Sequence, residues 1–199
     1  MTSRRQFLER MGWTMVPLAS GLPDVSVAMP VTAPPALHTV LIDGRYPQAR
    51  SLGNRIAGRG AAVHVVTDGE ITDLWLREIQ PVWKRRPVAL AGLTGSSTLF
   101  CLEQLAWTHG LRVAFHAEHV VLPSQQTLHS VQWRDTALAP VDERTLVAAG
   151  ANWSARIGDV FTSYHRNLPI TATGPSCAGL EPAMPAGASL LTSWIIAPV

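Results

Sequence analysis

Val88-Ala89-Leu90-Ala91-Gly92-Leu93-Thr94-Gly95-Ser96-Ser97-Thr98 decides the reading of this chain. Its first six residues are apolar or small with no alternation, the pattern of a strand buried on both faces, as in parallel sheets. Glycine and hydroxyl residues then break the run. Helical periodicity follows from Thr98 to about Thr108, with Gly110 as its stop. A buried strand, a tight Gly/Ser turn and a helix make half of a β-α-β unit.

The same grammar continues on both sides. Upstream, Thr39 to Ile42 is a β-run ending in Asp43-Gly44. Gln48 to Arg59 is a helix with Pro47 in its first turn and Gly60 at its end, and Ala62 to Val66 is a second β-run. Ile71 to Ile79 reads as a short helix stopped by Pro81, and Leu111 to Phe115 starts a fourth β-run. Near-continuous apolar strands alternating with helices imply helices on both faces of a sheet. The expected fold is α/β: a Rossmann-like or flavodoxin-like three-layer sandwich with a mostly parallel sheet and an irregular C-terminal part. In that part Thr127 to Trp133 alternates as a strand does. Val141 to Gly150 and Arg156 to Tyr164 read as short helices, and Thr173 to Gly187 as a loop. Ser189 to Ala197 reads as a last buried strand, antiparallel or at an edge.

Hydrophobic residues make up 47% and charged residues 15% of the 199, which places the chain among globular proteins. One domain over 37–199 is expected. The net charge of +2 falls to +1 when residues 1–28 are set aside, so no nucleic-acid footprint is present. Cys101 lies in an apolar helical pattern and is expected as a buried free thiol; pairing with Cys177 is the alternative. Trp75, Trp107 and Trp194 fit apolar faces. Trp83, Trp133 and Trp153 stand among polar residues; packing is the default for them, an interface or a sugar-stacking surface the alternative.

The N-terminus reads Ser3-Arg4-Arg5-Gln6-Phe7-Leu8, followed by an apolar stretch from Met11 to Leu22 and by small residues at Ser26 and Ala28. This resembles a twin-arginine (Tat) signal peptide, carried by Arg4, Arg5, Phe7 and Leu8, with cleavage after Ala28. The consensus lysine is absent, and Arg10 lies close to its place. The apolar stretch is too short to span about 30 Å of hydrocarbon, so no stable transmembrane span is expected. Residues 29–36, rich in proline, read as a linker. The resemblance implies passage through the Tat translocase in the folded state and a periplasmic or secreted location.

In open α/β sheets ligands gather beyond the carboxyl ends of the strands. That rule selects Asp43, Arg45 and Tyr46 after the first strand, Thr67 and Asp68 after the second, and Thr94, Gly95, Ser96 and Ser97 after the third. The last four form a candidate anion-binding turn at a helix N-terminus, with Ser96 or Ser97 as a plain N-cap the competing reading. The turn lacks the Lys-Ser/Thr ending of a P-loop, and no Gly-x-Ser-x-Gly elbow occurs. In His116-Ala117-Glu118-His119 the first and third residues share a strand face and His119 points away. His116 and Glu118 are weak metal-ligand candidates and, with Asp43, acid–base candidates. His165 beside Asp159 is weaker.

No catalytic set is complete. The expectation is therefore an exported, non-catalytic accessory or binding subunit with a protein partner in the periplasm. A small enzyme for an anionic substrate at the sheet's C-terminal edge is the first alternative, and a metal or cofactor carrier of unknown cargo the second.

Overall fold

Apolar runs too long to face water on either side force the strands into the middle of the molecule. The computed structural model describes residues 37–67, 69–133, 141–164 and 184–198, all within the unit 33–199. Six strands form one sheet: β1 (Leu37–Asp43), β2 (Val63–Val66), β3 (Ala89–Thr94), β4 (Leu111–Val121), β5 (Thr127–Trp133) and β6 (Ser189–Pro198). Their order is β2-β1-β3-β6-β4-β5. The two pairings of β1 are parallel, while β3–β6, β6–β4 and β4–β5 are antiparallel. The sheet is thus mixed, and the expectation of a mostly parallel sheet is corrected. The β-α-β grammar holds through β3. The next neighbour is not β4 but β6, which enters from the far end of the sequence as a central antiparallel strand.

Alternate residues of each strand feed two cores. Val40, Ile42, Ala91, Leu93 and Ile195 pack under α1 (Pro47–Ala57), α5 (Glu143–Ala149) and α6 (Trp153–Ser163). Leu41, Leu90, Trp194 and Ile196 pack under α2 (Thr72–Leu74), α3 (Gln80–Arg85) and α4 (Ser96–Trp107). Helices therefore cover both faces, as the sandwich reading requires.

Two local irregularities matter. A π-helical turn, Trp75–Ile79, joins α2 to α3, so the helix runs on past Pro81 to Arg85 instead of stopping. The widened turn ends two residues before Pro81, whose ring brings no N–H to the ladder. In β4 the register to β6 slips between Val113 and Phe115, leaving Ala114 as an extra residue. This bulge reverses the faces. Leu111 and Val113 point to the α4 side, but Phe115 and Ala117 point to the α6 side.

Of the described tryptophans, Trp107 alone departs from its expected place. Trp83 and Trp153 are core residues, each 2% exposed. Trp107 is half exposed, with the Arg112 guanidinium 5.6 Å from its ring centre. Cys101 is exposed rather than buried, because α4 turns Leu99, Leu102 and Ala106 inward and leaves Phe100 and Cys101 outside. Cys177 lies outside the described residues, as do most of the 173–187 loop and the whole of 1–36 with its signal and linker readings.

Candidate functional site

The strand registers bring one polar row together on the α4 face. Asp43 pairs with Val66 and stands one residue beyond the Ile42–Leu93 pair. Thr94 faces Thr192, Thr192 faces Glu118, and Glu118 faces Ser130. Asp43, Thr94, Thr192, Glu118 and Ser130 therefore cross the sheet side by side, at the carboxyl ends of β1 and β3. The edge expected to carry a site is the edge where these polar side chains collect.

The α4 N-terminus lies at this row. Gly95 is the N-cap, in extended conformation, and no side chain caps it. The expectation that Ser96 or Ser97 caps the helix is thus corrected: both already lie inside the first turn, and glycine offers no oxygen to their N–H groups. Thr94 is satisfied, since its Oγ1 donates to the Gly95 carbonyl at 3.1 Å and accepts Trp194 Nε1–H at 3.0 Å. Thr98 in the first turn and Thr192 on the sheet are different. Both are buried, and neither hydroxyl has a hydrogen-bond partner among the described residues. Gly69, in the β2–α2 turn, comes close to the first turn of α4; a Cβ there would stand 3.3 Å from Ser97 Oγ and 3.5 Å from Thr98 Oγ1. Asp68 lies outside the described residues.

Asp43 is fully buried and holds the next turn in place. Its Oδ1 accepts from the backbone N–H and Nε of Arg45, each at 3.0 Å, and its Oδ2 accepts from Nη2 at 2.7 Å. That forked pairing makes the carboxylate an anchor for the β1–α1 turn. His116 and Glu118 share the α4 face as expected, with Nε2 and Oε1 4.0 Å apart and both partly exposed. No group of three or more His, Cys, Asp or Glu able to hold a metal ion occurs among the described residues, so the pair acquires no third ligand there. His165 lies outside them.

His119 does point away, into a cluster on the opposite face that sequence reasoning missed. Its Nε2 is 2.7 Å from Ser193 Oγ, and its Nδ1 is 2.8 Å from Nδ1 of His129. The connectivity matches a serine–histidine hydrolase relay, but Ser193 and His119 are both 0% exposed, which closes the serine to any substrate. The signal for His129 was present: it shares the odd positions of β5 with Val131 and Trp133, the inner set. Thr192 and Ser193 stand out in the sequence only as polar residues within an apolar strand.

Two cavities lie away from the row. An apolar groove of about 480 Å³ runs between α4 and the π turn, lined by Ile71, Trp75, Leu76, Phe100 and Cys101. A polar one of about 330 Å³ borders β2, near His64, Glu70 and Glu78. Among the described residues no helix is long and apolar enough to cross a membrane. Comparison with protein-family models, with curated proteins and with solved structures finds no match to this chain.

Proposed function

We propose that this is an exported binding protein that holds a small polar ligand at the carboxyl edge of β1 and β3, against the first turn of α4. One observation carries the binding reading: the buried, unpartnered hydroxyls of Thr98 and Thr192. A buried hydroxyl without a partner costs about 1–3 kcal/mol, and such groups call for a role. Two of them, beside an uncapped helix N-terminus that favours negative charge, supply donors and acceptors for an oxygen-rich, anionic ligand. Binding is favoured over turnover because Asp43 is already engaged by Arg45.

Isosteric replacement tests it. The Thr98→Val and Thr192→Val variants should bind less of whatever small molecule the wild type retains in native mass spectrometry. Without ligand they should be more stable than wild type by about 1 kcal/mol each. Loss of stability in both would mean that the hydroxyls have a structural partner, and the reading would fail.

Export rests on Arg4, Arg5, Phe7 and Leu8. Replacing both arginines by lysine should keep the chain in the cytoplasm, and the exported form should begin at Met29. A doubly wound sheet of the flavodoxin-like kind is likewise proposed for the β2-β1-β3 half, on the strength of strand order alone. A second reading, docking of a protein partner, is favoured by the groove, where Leu76 is 54% and Phe100 63% exposed.

A further inference from the structure

The cluster on the α6 face ties separate elements together through two imidazoles. His119 belongs to β4, His129 to β5 and Ser193 to β6. His119 stacks on Trp153, the first residue of α6, with ring centres 4.2 Å apart. His129 meets the same indole edge-on at 5.3 Å. Glu143, the first residue of α5, accepts the Val131 N–H of β5. From this arrangement we propose that the His119–His129 pair is an acid-sensitive latch, which holds α5 and the start of α6 on the β4–β5 hairpin when neutral and releases them when protonated.

Two facing ring nitrogens need one proton between them. In one neutral arrangement His129 Nδ1–H donates to His119 Nδ1, and His119 Nε2–H donates to Ser193 Oγ. In the other, His119 Nδ1–H donates to His129, and the Ser193 hydroxyl donates to His119 Nε2. Both satisfy every ring atom of the buried imidazole. A single proton on His129 leaves its Nδ1–H donation to His119 intact and is opposed by burial; with both rings protonated, two N–H groups and two positive charges face each other, and the contact is repulsive.

The groups around the pair give little relief. Across β4, His116 opposes charge on His119, and β6 offers only the uncharged Ser193. From α5, Glu143 alone favours charge on His129. From α6 comes Trp153 and, just past its end in the same apolar core, Tyr164, whose phenol burial pushes up to about 12 and keeps neutral. Burial, then His129 and His116, hold His119 well below the ordinary 6.5, and burial lowers His129 to about 4. The open form therefore binds protons that the closed form refuses. Opening is favoured as pH falls from 6.5 towards about 4.

Hydrogen exchange on the full chain, corrected for intrinsic rates, tests the latch. Between about pH 7.5 and about pH 5 the opening constant of residues 143–163 should rise, by up to about thirtyfold from His129 alone and by more where His119 also titrates. Residues of β3 and α4 should stay protected. His129→Gln, which keeps a hydrogen-bonding group but cannot be protonated in this range, should lose most of the rise; His116→Gln should keep it. Equal protection of 143–163 at the two pH values overturns the proposal, as does simultaneous opening of the whole sheet. If His129→Gln does not fold, the wild-type imidazole resonances decide: a His129 midpoint at or above about 6 overturns it, and one well below supports it.

Discussion

Single side chains set the sharpest expectations. Gly92 sits in the middle of β3 with the Trp194 indole over it; a Cβ there would meet Trp194 Cζ2 at 2.3 Å and the Leu41 carbonyl at 3.0 Å. Neither a fully buried indole nor a paired strand can step aside. Gly92→Ala should therefore destabilise the protein by about 1–3 kcal/mol, as overpacked cores do, measurable as a lower denaturant midpoint. Within the sequence this glycine reads only as part of an apolar run, because its partner lies about a hundred residues on in β6. Cys101 shows the reverse error. Its neighbours Leu99, Phe100 and Leu102 suggest burial, but a helix separates successive residues by angle, and Cys101 shares the outer side with Phe100. It should react with a thiol reagent in native buffer without denaturant; a thiol reactive only after unfolding would contradict the fold.

At the level of elements, helix packing makes the opposite prediction for another glycine. Gly158 lies within α6 where α6 meets α1, and a Cβ there would stand 3.5 Å from Arg55 Cδ and 3.8 Å from Ile56 Cδ1, ordinary contact distances. Helix propensity then decides, and Gly158→Ala should raise stability by up to about 1 kcal/mol. Asp159, next along α6, pairs with Arg55 of α1 and with Arg59 just past its end, but all three side chains are well exposed. Asp159→Ala should cost no more than about 1 kcal/mol, and less in high salt. These elements were largely readable in the sequence: β1 to β3, α1 and α4 follow from periodicity, glycine stops and the proline at the start of α1. The β4 bulge and the π turn were not, because each depends on what packs against it. The candidate site was half readable. Strand ends named Asp43, Thr94 and Glu118, and the His119–His129 pair needed only the β4–β5 register, whereas Thr192 and the Ser193 contact of His119 required the order of strands, which no local pattern encodes.

For the whole molecule the histidine pair gives a pH dependence with a definite sign. His119 and His129 are lowered in the folded state, so the unfolded chain binds more protons below 6.5. Their contribution is intact above pH 6.5 and is lost as pH falls through about 4. Discounted for its half-exposed side chain, the share of His129 amounts to roughly 1–3 kcal/mol, and His119 adds to it in the same direction. Stability measured by urea denaturation should climb across that interval and flatten above it, and His129→Gln should reduce the climb. The sheet order has a consequence in time as well. During synthesis β1 to β3 can form early, and β4 with β5 can close as a hairpin, yet each half then presents a bare strand where β6 belongs. The two halves are joined only after residues 189–198 have left the ribosome. Until that moment the nascent chain carries two open edges that other chains can occupy, so its yield should depend on chaperones that shield them and fall sharply when β6 is truncated.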